Sequence, residues 1–416
     1  MMKQLFLAVA LLLPAFCMSS AQPVTCHITG EVEDKEEKQV VLYELGTDPR
    51  VNDFITVNIQ NGRFSYDLNT DILRCYEVVL LSEFKQGSMR VANFIVENAN
   101  VHIVIPRAAD GDDDAFRIES DGKENRMKIK YSTYKDSIYS SYKPKFLRKA
   151  AQRDSLDKAR QYFKPIVYEV YEKLKCAQGA QRDSLLQLFP QDGFSELGRK
   201  TEAEYGALMD DYHVELAKWY ENHRCFYGLA EISRGVASNQ FSRTQEKYIE
   251  LYLNHYADYM AGHPYHQKAS YGVAASRLQV GKPYIDYEVR GPNGNTVRLS
   301  SLYKGKVVFI DLWASWCVPC RWHAKAVVPI YEKYKDKGFQ VIGIAREKET
   351  GRMEAAAKQD GYPWPNLLEL NDQHHVWLKN GLNQSGGGGF LIDEKGTILA
   401  ISPEPDELEK ILNEQL

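Results

Sequence analysis

The chain has 416 residues, too many for one ordinary domain and enough for roughly two to four. At 44% hydrophobic and 26% charged it reads as a folded globular protein, which excludes a collagen-like or wholly disordered chain. A formal charge of -4 gives no electrostatic reason to expect nucleic acid as a partner.

The first residues, MMKQLFLAVALLLPAFCMSSAQ, carry one cation, Lys3, then an apolar run from Leu5 to Phe16, then small residues. That is the three-part layout of a secretory signal peptide, with Ser19 and Ala21 at the small-residue cleavage positions. A membrane-spanning helix would need roughly 20 apolar residues, which this run does not supply. Residues 1–21 are therefore expected to be a signal peptide, and the expected location is the periplasm. Cys17 raises lipid attachment as a rival, although Phe16 stands where a lipoprotein signal wants a small residue.

Residues 22–120 show short β-rich runs: VTCHITGEV, QVVLYEL, FITVNI, GRFSYDL, CYEVVLL, ANFIVE and VHIVIP, separated by turn segments such as GTDPR and QNG. Strands at this spacing predict a small antiparallel sandwich or barrel, with no catalytic constellation. Residues 121–277 become helical, with Tyr-rich apolar stripes in YFKPIVYEVYEKLK and YGALMDDYHVELAKWYENH that read as core. AQRDSL occurs at Ala151 and again at Ala180, and two helices that begin alike explain this without a repeat array.

Residues 278–416 alternate strands and helices, which predicts an α/β sheet. A leading hairpin turns at GPNGN. VVFIDLWA and FQVIGIA are buried strands, VVPIYEKYKDKG and GRMEAAAKQDGY are helices, FLIDEKGTILAIS is a hairpin, and PDELEKILNEQL is a closing helix. Cys26, Cys75, Cys176 and Cys225 are scattered without metal-ligand spacing and read as buried small apolar residues. Export would permit disulfides, so Cys26–Cys75 and Cys176–Cys225 bridges stay open.

WASWCVPCR carries the chemistry. A three-residue offset puts Cys317 and Cys320 on one helical turn, near enough for a disulfide. The pair follows a buried strand, so Cys317 falls at a helix start. There, unpaired N–H groups and the positive helix end favour a thiolate. Pro319 suits the first helical turn, where its missing N–H costs little. Structural zinc would need further ligands, and His323, His374 and His375 read as ordinary surface or helix residues; no metal is expected.

WASWCVPCR, VVFIDLWA and FLIDEKGTI together resemble the thioredoxin superfamily, most of all its exported TlpA/ResA branch, which is related to the alkyl-hydroperoxide-reductase/redoxin family. The likeness covers about residues 278–416, and the layout with a β-rich leading domain resembles exported proteins of the Bacteroidetes type. The resemblance implies that Cys317 is the exposed attacking thiolate and Cys320 the resolving thiol. Trp316 and Pro319 would shape the sulfur's surroundings, and Asp311 would be the buried acid that deprotonates Cys320. Glu347 is the nearest match to a glutamate that this branch places after its next strand.

One departure stands out. The family's cis-proline position is occupied by Gly387, within SGGGGF. A cis bond before a non-proline residue costs about 2.5–4 kcal/mol, so a trans peptide and a mobile substrate-facing loop, with more accessible sulfurs, are expected. The implied function is disulfide exchange with protein substrates. The expected direction is reduction, fed by a membrane electron donor, with no cofactor beyond the Cys317–Cys320 disulfide. A binding scaffold with a degenerate thioredoxin domain and a thiol peroxidase are the alternatives; a homodimer is a further expectation for the helical region.

Overall fold

The computed structural model describes residues 23–87, 89–108, 116–186, 188–189, 193–238, 243–291 and 294–416. The expected signal peptide and Cys17 lie outside them.

Alternation builds the first two sheets. In β1 (Val24–Val32) every second residue from Val24 is buried and those between face outward. β2 (Gln39–Glu44), β3 (Ile55–Asn58), β4 (Arg63–Thr70), β5 (Arg74–Leu80), a short helix α1 (Leu81–Gln86), β6 (Ala92–Val96), β7 (Ala99–Ile105) and β8 (Arg117–Ser120) follow. They form two sheets, β4-β1-β7-β8 and β3-β2-β5-β6. Ile28, Val101 and Ile103 of one sheet share a core with Leu42, Val78 and Phe94 of the other, as in the expected sandwich. The sandwich is not purely antiparallel: β1 and β7 pair in parallel. A parallel pair needs a long crossover, and strands β2 to β6 supply it.

The helical region comprises α2 (Lys123–Lys158), α3 (Pro165–Leu174), α4 (Gly179–Leu186), α5 (Glu196–Asn222), α6 (Phe226–Ser238), α7 (Arg243–Leu251), a π-helical turn at Tyr252–Tyr256, and α8 (Tyr265–Ala275). Its Tyr-rich stripes are core in part: Tyr162, Val167, Val170, Tyr212, Leu216 and Tyr220 are buried, whereas Ile166 and Tyr171 are exposed. Tyr131, Tyr220, Tyr227 and Tyr256 pack with Cys75 and Ile95 of the β-domain, so the two regions share one apolar cluster. Two expectations are corrected. The first AQRDSL lies in the last turns of α2, not at a helix start. Cys26, Cys75, Cys176 and Cys225 are all free thiols, and Cys176 is exposed rather than buried. Burial pushes the Cys26 thiol up to about 12 and Cys225 to about 11, which leaves both inert at neutral pH.

The last unit contains β9 (Glu288–Arg290), β10 (Thr296–Arg298), α9 (Ser300–Tyr303), β11 (Val307–Trp313), α10 (Val318–Tyr334), β12 (Phe339–Glu347), α11 (Thr350–Asp360), β13 (Asn366–Leu370), α12 (Val376–Lys379), β14 (Gly388–Ile392), β15 (Ile398–Ile401) and α13 (Pro405–Gln415). The sheet order is β10-β9-β13-β12-β11-β14-β15. Every residue of β11 is buried, because β12 flanks it in parallel on one side and β14 antiparallel on the other. Val327 and Tyr334 of α10 join Leu408 and Leu412 of α13 on one face, while Tyr303 and Trp377 cover the other. A fully buried central strand thus aims its C-terminal end, Asp311 to Trp313, at the start of α10. No helix among the described residues is long and apolar enough to cross a membrane.

Candidate active site at the start of helix α10

Cys317 is the N-cap of α10, and the Cys320 backbone N–H donates to its Sγ at 3.3 Å. Sγ therefore occupies the place a serine or aspartate oxygen takes at other helix starts, where the helix end favours negative charge. Cys317 and Cys320 are joined as a disulfide with their Cα atoms 5.4 Å apart. Pro319 stands in the first turn, where no hydrogen bond is lost. Arg321, the last residue of the motif, donates through Nε to Asp360 at 2.6 Å and through Nη1 to the Ser315 carbonyl at 3.3 Å, which pins the turn.

Asp311 is 4% exposed on β11, between Gly343 of β12 and Gly389 of β14. Burial pushes its carboxyl up to about 7, and its Oδ2 has no hydrogen-bond partner among the described residues. A cavity of about 170 Å³ joins Asp311, Pro319, Cys320, His323 and Gly387. It has room for water beside the acid and the second sulfur.

Glu347 is buried at the end of β12, where its carboxylate accepts from the Ser315 backbone N–H and from Ser315 Oγ at 2.9 Å. Burial raises its pKa, and the Ser315 hydrogen bonds hold it down in part. It braces the turn two residues before Cys317. Trp316 directly precedes Cys317, with its Nε1 buried and unpartnered among the described residues.

The glycine run is packed, which corrects the expectation of a mobile loop. Gly388 and Gly389 are strand residues paired with Leu312 and Asp311. A Cβ on Gly387 would stand 2.0 Å from the Leu312 carbonyl oxygen, and one on Gly389 would stand 2.4 Å from the Phe309 ring. These glycines let β14 lie directly against β11, so their conformational freedom is removed by contact. No cis peptide bond occurs among the described residues. Nor is Cys317 the more exposed sulfur that the resemblance implies: it is only 7% exposed, less than Cys320, because the Gly386 backbone lies against its Sγ.

Sequence reasoning missed a contribution from the β-domain. In the β2–β3 loop, the buried Asp48 meets Arg346 of β12 at 3.0 Å, and Arg346 also holds Asp372 at 2.6 Å. Asp48 in turn accepts from Arg50 Nε at 2.9 Å and Nη2 at 2.6 Å. The Arg50 guanidinium lies 4.0 Å from the centre of the Trp316 ring and donates to the Gln384 carbonyl. Gln384 Nε2 donates back to the Thr47 carbonyl at 2.8 Å. The signal was a charged turn, GTDPRVND, which by itself reads as a solvated loop.

Comparison with known proteins places this geometry. Residues 280–401 match the model of the AhpC/TSA family. The thiol-disulfide oxidoreductase ResA of Bacillus cereus is 27% identical over 139 residues, 33% of this chain and 73% of that one. Protein DipZ of Mycobacterium bovis is 36% identical over 112 residues, 26% of this chain but only 16% of its own length. The solved thioredoxin domain of a thiol-disulfide oxidoreductase from Bacteroides vulgatus is 26% identical at a TM-score of 0.31, and covers 33% of this chain and 97% of that domain. The match begins just before the first hairpin and ends in β15, so the thioredoxin-like domain that is similar to the AhpC/TSA family frames the whole dithiol site.

Proposed function

We infer that the protein is an exported thiol–disulfide oxidoreductase that reduces disulfides of protein substrates in the periplasm, with Cys317 as nucleophile. The observation that carries this reading is a cysteine pair at the cap of α10, with a buried carboxyl raised to about 7 lining the same small cavity as its second sulfur.

In the reduced protein the Cys317 thiolate attacks one sulfur of a substrate disulfide. A mixed disulfide forms, and the other substrate sulfur leaves as a thiolate that takes up a proton. Asp311, ionised above about pH 7, accepts the Cys320 proton through the cavity. The Cys320 thiolate then attacks Cys317 Sγ, releases the second substrate thiol, and leaves the Cys317–Cys320 disulfide. Two electrons have passed to the substrate, and a thiol donor, which we assign to a membrane electron carrier, must restore the dithiol. Trp316, Pro319 and Glu347 position the sulfur and its turn; Gly387 leaves the space beside Cys320 open. No group beyond the dithiol is needed.

Insulin reduction by dithiothreitol tests the reading. The native chain should accelerate it, Cys317→Ser should abolish the acceleration, and Cys320→Ser should accumulate a mixed disulfide. Equal rates for the native chain and Cys317→Ser would refute it.

A further inference from the structure

We propose that Arg50 of the β-domain is a specificity-determining residue of the dithiol site: it spans the mouth above Cys317 and admits small or extended disulfides while holding off disulfides fixed on folded surfaces. This rests on the oxidoreductase reading above. Two edges border Cys317: Trp316, the preceding residue, and the loop ending at Gly386, whose backbone lies against Sγ. Arg50 touches both edges at once. Its guanidinium stacks 4.0 Å from the Trp316 ring centre, and its Nη2 donates to the Gln384 carbonyl, two residues before Gly386.

The arm is held, not draped. Asp48, itself 2% exposed, grips Arg50 through both carboxylate oxygens and joins it to Arg346, which is buried on β12. A paired charge taken out of water at a domain contact keeps its geometry, because separating it leaves an uncompensated buried ion. Asn52 Nδ2 donates to the Asn371 carbonyl at 3.2 Å, and Lys348 meets Asp53 at 2.7 Å, which fixes the rest of the loop. Arg50 itself remains partly exposed, so an approaching substrate meets it directly. The Gly386 backbone covers Sγ from one direction, and Arg50 ties that loop to Trp316, which narrows the approach.

Arg50→Ala and the native chain are reduced and compared in three ways. The variant should show Cys317 alkylation by a bulky polyethylene-glycol maleimide faster by about fivefold or more, and insulin reduction faster in similar measure, each tenfold being 1.36 kcal/mol of barrier. Reaction with the small disulfide 5,5′-dithiobis(2-nitrobenzoate) should stay within about twofold, since that molecule passes the native mouth. Arg50→Lys, which keeps the charge but not the forked hydrogen bonds, should move the first two rates in the same direction and less. Unchanged or slower alkylation and insulin reduction in both variants would overturn the proposal. Failure of the small disulfide to react with either chain would instead overturn the dithiol reading on which it rests.

Discussion

Asp311 shows most clearly how one side chain ties stability to chemistry. Its carboxyl titrates at about 7 when folded, because burial removes water from the charged form and no donor replaces it. The folded value lies above that of the unfolded chain. The favourable contribution is therefore full below about pH 4 and is lost as the pH rises through about 7. Asp311→Asn should be more stable than the native chain by roughly 2–4 kcal/mol at pH 8, and this advantage should vanish near pH 4. Urea denaturation at the two pH values checks this. The same variant should resolve mixed disulfides more slowly and lose the rise of that step between pH 6 and about 8. Cys317, Cys320 and Asp311 were legible in the sequence because strand, turn and helix cap are contiguous there. Arg50 was not, since 334 positions separate it from the carbonyl it holds. Only the tertiary fold brings a charged turn of the sandwich to the dithiol.

Among the elements, β14 is where local propensity misled. Four consecutive glycines read as a mobile loop, yet two of them pair with β11. Entropy argued for disorder; contact distance decided otherwise, since a strand carrying side chains cannot lie this close to Leu312 and Phe309. Gly387→Ala should therefore destabilise the domain by roughly 1–3 kcal/mol, because its Cβ meets backbone that cannot rotate away. Thermal or urea unfolding measures this, and a neutral result would mean that β14 can shift outward. Other elements were missed for related reasons. β13 and α12 lie between the Pro-rich YPWPN and the glycines, where turn residues mask a short NLLEL strand. The two buried strands β11 and β12 were plain, because unbroken apolar runs flanked by charged helices admit few other readings.

Across the whole molecule, the three regions are coupled by buried contacts. Cys75 and Ile95 of the sandwich sit in the helical core, and the Cys75 N–H donates to Tyr265 Oη of α8 at 3.0 Å. Asp48 and Arg346 join the sandwich to the thioredoxin-like domain one residue from Glu347, which braces the dithiol turn. The large leading region thus reaches the dithiol turn through Asp48 and Arg50, although the sequence offered no catalytic motif there. All of this serves one claim, that Cys317 is the ionised, attacking sulfur. Alkylation of the fully reduced native chain by iodoacetamide, followed residue by residue by mass spectrometry from pH 5 to 10, measures it most directly. Because the mouth is narrow, the midpoint of the pH profile is the readout, not the absolute rate. The account predicts a Cys317 midpoint at least about one unit below the free-thiol value of about 8.5. A midpoint at or above that value would contradict it.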